Sequence, residues 1–589
     1  MSSERCDVMM VVDVLFPVAL RITLSYRIAD EVTIGSFVRA PIGSRTFLGI
    51  VVAIHPSSQH VSALKYITSI EGDLIPISPK RIELWRWISE YYLCTLGEVM
   101  KAAILPKPPR QSKLCTNQEP ASFSLPPIAP EWTEVFQSIN LDGVTLFKGT
   151  QGRVEIYLLL LQHVLLSGKN VLLLTPEIGS GDQLFRLFKE LLGHRVSLLH
   201  SRMTPVQRQK VVQTIAAQKE PVLIIGMRSA LLLADMQQFG LIIIDDEHDF
   251  SYKQIDPAPR FHARDLALFI GRHYQIPVIL GTSCPSLESE YNIRMGKFHF
   301  VSLNQSTYSQ PNIEIVDTLR LRKKKQMNGS FSQLLLHALE QNMTLRKQAL
   351  FFTQRCAQLQ EELHSLFPGV RTARLDESHH SSALQQIITQ FKNREIDIII
   401  GIQTIYKSID WENMGVVAIF DADRQLSRSD FRAHERTYQI LTNIFRNMDT
   451  LLPDAYRIIV QTEQADHPFY RYLQSGNSEA FVWEQLQERK EYQYPPFVRL
   501  IALRLKHANP ESAFQAASQL KQELIDMDIT AVTGPFTPWQ HQEVKLYPQL
   551  LWIHLQRQSD SHTLKRKIHE KVTKYKFPRG IIQVDVDPY

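Results

Sequence analysis

Cysteine is scarce in this chain and never paired. The 589 residues include five, at positions 6, 94, 115, 284 and 356, with no C-x-x-C spacing among them. An odd, scattered set excludes both a disulfide framework and a cysteine zinc cluster, and leaves reduced, mostly buried thiols as the expectation. Long apolar runs are missing too. No stretch approaches the roughly 18 residues of a membrane span, and the N-terminus lacks the apolar core and small-residue cleavage site of a signal peptide, so a cytoplasmic protein is expected. Neither sign of charge dominates: 65 basic residues stand against 60 acidic ones, for a net charge of +5. That balance permits nucleic-acid binding without demanding it, so the local distribution of charge matters more. There is no internal repeat and no low-complexity segment.

What is present points first to residues 241–248. Leu241-Ile242-Ile243-Ile244 reads as a buried strand and ends abruptly in Asp245-Asp246-Glu247-His248. Helicase-type ATPases place a Mg²⁺ carboxylate and a water-orienting glutamate at the carboxyl end of a parallel strand, which makes Asp246, Glu247 and His248 the candidate catalytic group. The expected partner is a phosphate-cradling loop of the form G-x-x-x-x-G-K-S/T near the front of the same domain. Residues 147–154 occupy that place as Phe-Lys-Gly-Thr-Gln-Gly-Arg-Val. The lysine position is Arg153 and the hydroxyl position is Val154. The first glycine is either Phe147 or a Gly149 left in a shortened loop, so Gly149, Gly152 and Arg153 are the candidate cofactor-binding residues of a degenerate loop. Valine cannot ligate a metal, and a bulky planar guanidinium is not a conservative replacement for lysine at a tight phosphate site.

Along the chain, β-rich runs alternate with turns over 8–55, as expected of a small barrel or meander. A helical pattern runs from Ser78 to Ala103, and 107–130 reads as a linker. Apolar strands at Asn170–Thr175, Val222–Ile225, Leu241–Ile244 and Val278–Gly281 alternate with amphipathic stretches over 131–304. The pattern resumes over 305–479 with strands at Ala349–Thr353, Ile396–Gly401 and Val416–Asp421, giving two parallel-sheet lobes in tandem. The segment 480–589 spells β-α-β-β-α-β, the order of a ferredoxin-like domain. Its first helix, Pro510–Asp526, carries an apolar stripe of Phe514, Ala517, Leu520 and Leu524.

These pieces, with a series of local signatures, resemble the PriA family of superfamily 2 DNA helicases, which restart stalled replication forks. The signatures include Tyr91-Tyr92-Leu93-Cys94-Thr95-Leu96-Gly97-Glu98-Val99, Thr175-Pro176-Glu177-Ile178-Gly179, Leu199-His200-Ser201 and Gly226-Met227-Arg228-Ser229-Ala230. Asp246-Glu247-His248 with Ser251-Tyr252-Lys253-Gln254 follows, then Arg260-Phe261-His262-Ala263-Arg264-Asp265 and Gly401-Ile402-Gln403-Thr404. Asp430-Phe431-Arg432-Ala433-His434-Glu435-Arg436-Thr437, Tyr494-Pro495-Pro496-Phe497 and Val584-Asp585-Val586-Asp587-Pro588 complete the series. The resemblance implies an α/β multi-domain fold: a β-rich N-terminal 3′-end DNA-binding domain over 1–106, two RecA-like helicase lobes, and a ferredoxin-like α+β C-terminal domain.

Against the family pattern, four departures stand out. The phosphate loop has lost its lysine and hydroxyl. The arginine motif Gln-x-x-Gly-Arg-x-Gly-Arg reads Asn443-Ile444-Phe445-Arg446-Asn447-Met448-Asp449-Thr450, with Asn447 and Thr450 at both arginine positions. An arginine finger is worth about 10³–10⁵ in rate, so its loss compounds the damage to the loop. The eight-cysteine zinc module is replaced by Gln354-Arg355-Cys356 running straight into Leu359–Phe367, and 107–130 leaves no room for the family's winged helix. ATP and Mg²⁺ use is therefore expected to be weak or lost, Asp246, Glu247 and His248 to be vestigial, and no zinc or other metal to be held.

For DNA the resemblance implies Ser25 and Tyr26, where the family has Phe-Asp-Tyr in its 3′-end pocket, and Lys65 beside it. The helix Thr563–Lys576 adds a basic face. Leu564, Ile568, Val572 and Tyr575 make its buried stripe, with Lys565, Arg566, Lys567, Lys571, Lys574 and Lys576 outward against the single acid Glu570. The expected function is recognition of branched DNA at stalled forks and help in reloading the replicative helicase. Its implied partners are forked or D-loop DNA, primosome and helicase-loading proteins, and single-stranded DNA-binding protein, with no membrane. Two alternatives stay open: an active ATP-dependent 3′-to-5′ DNA helicase, and a relic whose lobes bind only protein.

Overall fold

The computed structural model describes residues 10–20, 22–55, 64–105, 126–149, 152–217, 220–302, 313–375, 381–401, 409, 411–420, 422–427, 430–448, 456–538, 545–557 and 561–589. In the first hundred residues the β-rich runs form β1 (Met10–Leu15), β2 (Leu24–Ile28), β3 (Phe37–Ile42), β4 (Arg45–His55) and β5 (Ser69–Ile70). They pair antiparallel in the order β2-β1-β4-β3-β5 around Val12, Val14, Tyr26, Val38 and Val51. The single helix expected over 78–103 is two, Pro79–Tyr92 and Leu96–Ala103. Leu93 turns into the left-handed region at φ +52°, and Thr95 starts a new helix. The Thr95 hydroxyl accepts from Glu98 N–H at 3.2 Å, while the Glu98 carboxylate accepts from Thr95 N–H at 2.8 Å.

The first lobe is a seven-stranded sheet of β6 (Val144–Lys148), β7 (Asn170–Leu174), β8 (Val196–Leu199), β9 (Leu223–Gly226), β10 (Phe239–Ile244), β11 (Val278–Thr282) and β12 (His299–Ser302), ordered β12-β6-β11-β10-β7-β9-β8 with every pair parallel. Helices on both faces explain why Leu241–Ile244 is continuously apolar rather than alternating: both sides of the strand are buried. In the second lobe, β13 (Ile313–Asp317) precedes a short hairpin of β14 (Met327–Asn328) and β15 (Phe331–Ser332). The main strands continue with β16 (Gln348–Phe352), β17 (Thr372–Leu375), β18 (Ile398–Gly401), β19 (Met414–Ile419) and β20 (Arg457–Thr462). The order β13-β20-β19-β16-β18-β17 is again all parallel. The expected linker over 107–130 lies mostly outside the described residues. Shortly after β16, the helix Cys356–Leu366 begins.

The C-terminal domain has β21 (Val498–His507), β22 (Val532–Phe536), β23 (Tyr547–Gln556) and β24 (Ile581–Val586) in the antiparallel order β22-β23-β21-β24, with helices Pro510–Ile525 and Ser561–Lys574 in the expected places. One correction concerns the first of these helices. Phe514, read as part of its buried stripe, is exposed, and Ala513 takes the inner position beside Ala517, Leu520 and Leu524. The domain shares a continuous apolar core with the first lobe and with the helices Pro79–Tyr92 and Leu96–Ala103. Trp87 stacks on Phe269 with planes 8° apart, and the Arg81 guanidinium donates to the carbonyls of Ala103, Leu232 and Leu233. Among the described residues no helix is long and apolar enough to cross a membrane.

Candidate functional site

Register sets the site. Parallel pairing of β10 with β7 and β11 brings the carboxyl ends of three strands together, and the chain after Ile244 turns sharply, with Asp246 in the left-handed region at φ +49°. The Asp245 N–H donates to Leu174 O at 2.9 Å and the Glu247 N–H to Gly281 O at 3.1 Å, so the turn is held on both sides. Beside it, Gly152 adopts φ +78° to start the helix Arg153–Leu166, and a Cβ there would lie 2.4 Å from the Trp132 ring. The Gly149 amide is already committed to Thr282 O at 3.0 Å. Arg153 points at the carboxylates, its Nη1 2.7 Å from Asp246 Oδ1 and 3.1 Å from Asp245 Oδ1. The Tyr157 hydroxyl donates to Asp245 Oδ1 at 2.7 Å through space that exists because residue 281 is glycine.

The pair facing the loop is therefore Asp245 and Asp246, not Asp246 and Glu247. Glu247 is fully buried and points away, accepting from Arg264 Nη1 at 3.0 Å, Ser286 N–H at 2.7 Å and the hydroxyls of Ser286 and Ser289, each at 3.0 Å. Burial, with Asp246 adding, pushes the Asp245 carboxyl above its ordinary value against the pull of Arg153. Burial opposes the Arg153 charge, yet the two aspartates more than compensate and hold it firmly protonated. Sequence reasoning passed over Asp245, although it belongs to the same acidic run, and Tyr157, which nothing in the sequence marks.

His248 faces the second lobe. Its Nδ1 is 2.8 Å from Thr282 Oγ1 and its Nε2 is 3.1 Å from Asn443 Nδ2, while Asn443 Oδ1 accepts a short hydrogen bond from Ser283. Asn443 stands where the family's arginine motif begins, so this residue ties the lobes together. Thr450 lies outside the described residues, as does the side chain of Asn447. Further along the cleft, Glu435 accepts from Leu287 N–H at 2.8 Å and from Arg489 Nη2 at 2.5 Å. Glu288 binds Arg432 at 2.7 Å and Arg489 at 3.3 Å; although burial alone would raise its pKa, the two guanidiniums hold its carboxyl well below the usual range.

The DNA candidates lie apart from this site in two groups, Ser25, Tyr26 and Lys65 at β2 and the segment paired beside it, and the lysines of the helix Ser561–Lys574. Ser25 sits directly opposite Asp13 in the β1–β2 pair and donates to Asp13 Oδ1 at 2.6 Å, while His55 Nε2 lies 2.9 Å from Asp13 Oδ2. Against partial burial, hydrogen bonds from Ser25 and His55 hold Asp13 ionised below its ordinary value. Tyr26 is buried, with its hydroxyl on Pro41 O, and so belongs to the core of the sheet; Lys65 is exposed and reaches Gly43 O at 3.3 Å. On the helix Ser561–Lys574, Lys567 and Lys574 are exposed, but two expected outward lysines are not free. Lys571 pairs with Glu523 at 2.8 Å, and Lys565 is buried with its ammonium 3.6 Å from the Tyr91 ring centre, its pKa lowered to about 8 by burial. Lys565 was placed outward because helical spacing alone does not reveal the Tyr91 face packed over that position.

Three family models match in order: the 3′ DNA-binding domain of PriA over residues 13–105, the helicase conserved C-terminal domain over 331–440, and the primosomal protein N C-terminal domain over 490–589. The replication restart protein PriA of Rickettsia felis is 28% identical across 86% of this chain and 89% of its own length. That of Bacillus subtilis is 26% identical across 82% and 68%. The chain is a member of the PriA family. Its DNA-binding domain and helicase-type lobes are those of a PriA replication-restart protein. RecG bound to a three-way DNA junction, a solved structure, is similar at 13% identity over 69% of this chain and 52% of its own, with a TM-score of 0.41.

Proposed function

We propose that this chain recognises branched DNA at stalled forks and helps reload the replicative helicase, with ATP-driven unwinding weak or lost. The observation that carries the second half is the Arg153 bridge to Asp245 and Asp246 at 3.1 and 2.7 Å. A nucleotide site needs its loop cation for phosphate and its strand-end carboxylates for Mg²⁺. Here each satisfies the other. Val154 offers no hydroxyl and the Gly149 amide is already hydrogen-bonded, so the residues present do not fit nucleotide and Mg²⁺.

Support for the DNA half comes from the match to the 3′ DNA-binding domain and from the Asp13–Ser25 pair at its surface. Two neighbouring oxygen acceptors suit a sugar hydroxyl better than a phosphate. The exposed Lys567 and Lys574 supply sequence-independent attraction to phosphate. Forked DNA, helicase-loading proteins and single-stranded DNA-binding protein are the partners this reading implies, and the division of the chain near 106, 130, 304 and 479 belongs to it. Equilibrium binding of labelled ATP with Mg²⁺ to the full chain, followed by ATPase assays with forked DNA, tests it. Background values are expected in both. Stimulated hydrolysis that disappears in Asp246→Asn or Glu247→Gln establishes the active helicase instead.

A further inference from the structure

Residues 587–589 leave β24 and run over the first lobe into the cleft between the lobes. Lys253, buried at 4% exposure, fixes their path. Its ammonium is 2.7 Å from Asp585 Oδ1 and donates to the carbonyls of Val586 at 2.9 Å, Asp587 at 3.1 Å and Arg260 at 2.7 Å. Beyond this staple, the Tyr589 hydroxyl donates to His248 O at 3.1 Å. The ring centre lies 4.8 Å from the His262 imidazole, 4.3 Å from the Arg432 guanidinium and 5.5 Å from that of Arg436. His248 and His262 belong to the first lobe, Arg432 and Arg436 to the second. One side chain from a third domain touches both halves of the helicase fold.

The chemistry of the contact suits a clamp. A guanidinium hydrogen-bonds at its edge and is poorly hydrated on its faces, so aromatic rings cover it well. Arg432 binds Glu288 at its edge and has Phe431 at 4.8 Å and Tyr589 at 4.3 Å. His262 is buried with neither ring nitrogen hydrogen-bonded, and burial together with the nearby Arg264 and Lys253 keeps it neutral, so it does not repel the arginines. If the lobes part, the ring loses its arginine partners, and the ties from Asn443 to His248 and from Glu435 to Leu287 break with it.

We propose that Tyr589 is an interlobe latch, by which the C-terminal domain holds the two lobes in closed apposition whether or not nucleotide binds. Hydrogen–deuterium exchange on the full chain tests this. Leu287 opens the helix Leu287–Arg294, so its amide has no partner within the helix and depends on Glu435 across the cleft. Its exchange reports lobe separation, and the paired amides of β21 and β23 report the C-terminal domain. In Tyr589→Ala, Leu287 is expected to exchange about tenfold faster or more, with β21 and β23 as in the parent. Tyr589→Phe keeps the ring and is expected to stay within about threefold of the parent. Unchanged exchange at Leu287 in Tyr589→Ala overturns the latch, and so does an increase shared equally by β21 and β23, which marks a general stability contact. ATP binding decides the nucleotide reading separately.

Discussion

Replacing Arg153 by alanine tests whether its charge now serves the fold. The substitution leaves Asp245 and Asp246 facing each other without a cation, in a site where the three side chains are 19%, 12% and 25% exposed. Removing one member of a buried ion pair costs about 3–5 kcal/mol. Partial exposure of Asp246 lets water screen the repulsion, which brings the expectation to about 2–3 kcal/mol. Local opening of the first lobe then becomes about 30- to 150-fold more frequent, readable as faster amide exchange in β10 and β11. Arg153→Lys keeps the charge but cannot span both carboxylates as a guanidinium does, so about 1 kcal/mol is expected. The pH dependence has a definite sign. Asp245 already sits above its ordinary value, chiefly through burial, so its contribution is fully present below the unfolded pKa near 3.8 and is lost as pH rises through the folded value. Without Arg153 the folded value climbs further. The gap between variant and parent is therefore wide at pH 8 and narrows on acidification toward pH 5. Exchange within about threefold of the parent at pH 8, or a gap that widens on acidification, refutes a structural role for the bridge.

Four other outcomes are expected. Lys567→Ala with Lys574→Ala should flatten the slope of log affinity against log salt by up to about two units for any DNA sequence; an unchanged slope takes this helix off the DNA path. Lys565→Met should leave that slope alone but abolish a rise in stability with pH: above about 8 the folded protein releases the buried proton before the unfolded chain does, so thermal melts of the parent should improve between pH 8 and about 10. Ser25→Ala should weaken only substrates with an accessible 3′ hydroxyl, by about fivefold, as competition between 3′-hydroxyl and 3′-phosphate forks would reveal. Treatment with a chelator should change neither fold nor DNA affinity, and stoichiometric zinc in metal analysis contradicts this.

Sequence alone determined whatever depends on local pattern and on the identity of residues at motif positions. Uninterrupted apolar runs such as Leu241–Ile244 read as buried strands, and their alternation with amphipathic stretches implied parallel-sheet lobes. The β-α-β-β-α-β order of the last hundred residues was legible for the same reason, as was the loss of the loop lysine and hydroxyl. Short edge strands such as β8, β12 and β17 were not, since four residues of mixed polarity carry too little periodicity to stand out. Nor was the break at Leu93, because the apolar spacing continues across it while the Thr95 cap interrupts the hydrogen bonding. Tertiary structure decided which charges meet. That Arg153 closes on Asp245, that Lys565 lies under Tyr91, that Asn443 reaches His248 and that Tyr589 bridges the lobes are contacts between residues from tens to hundreds of positions apart. A charged or aromatic side chain is compatible with many neighbours, and only the packing of elements within and between domains selects the one it finds.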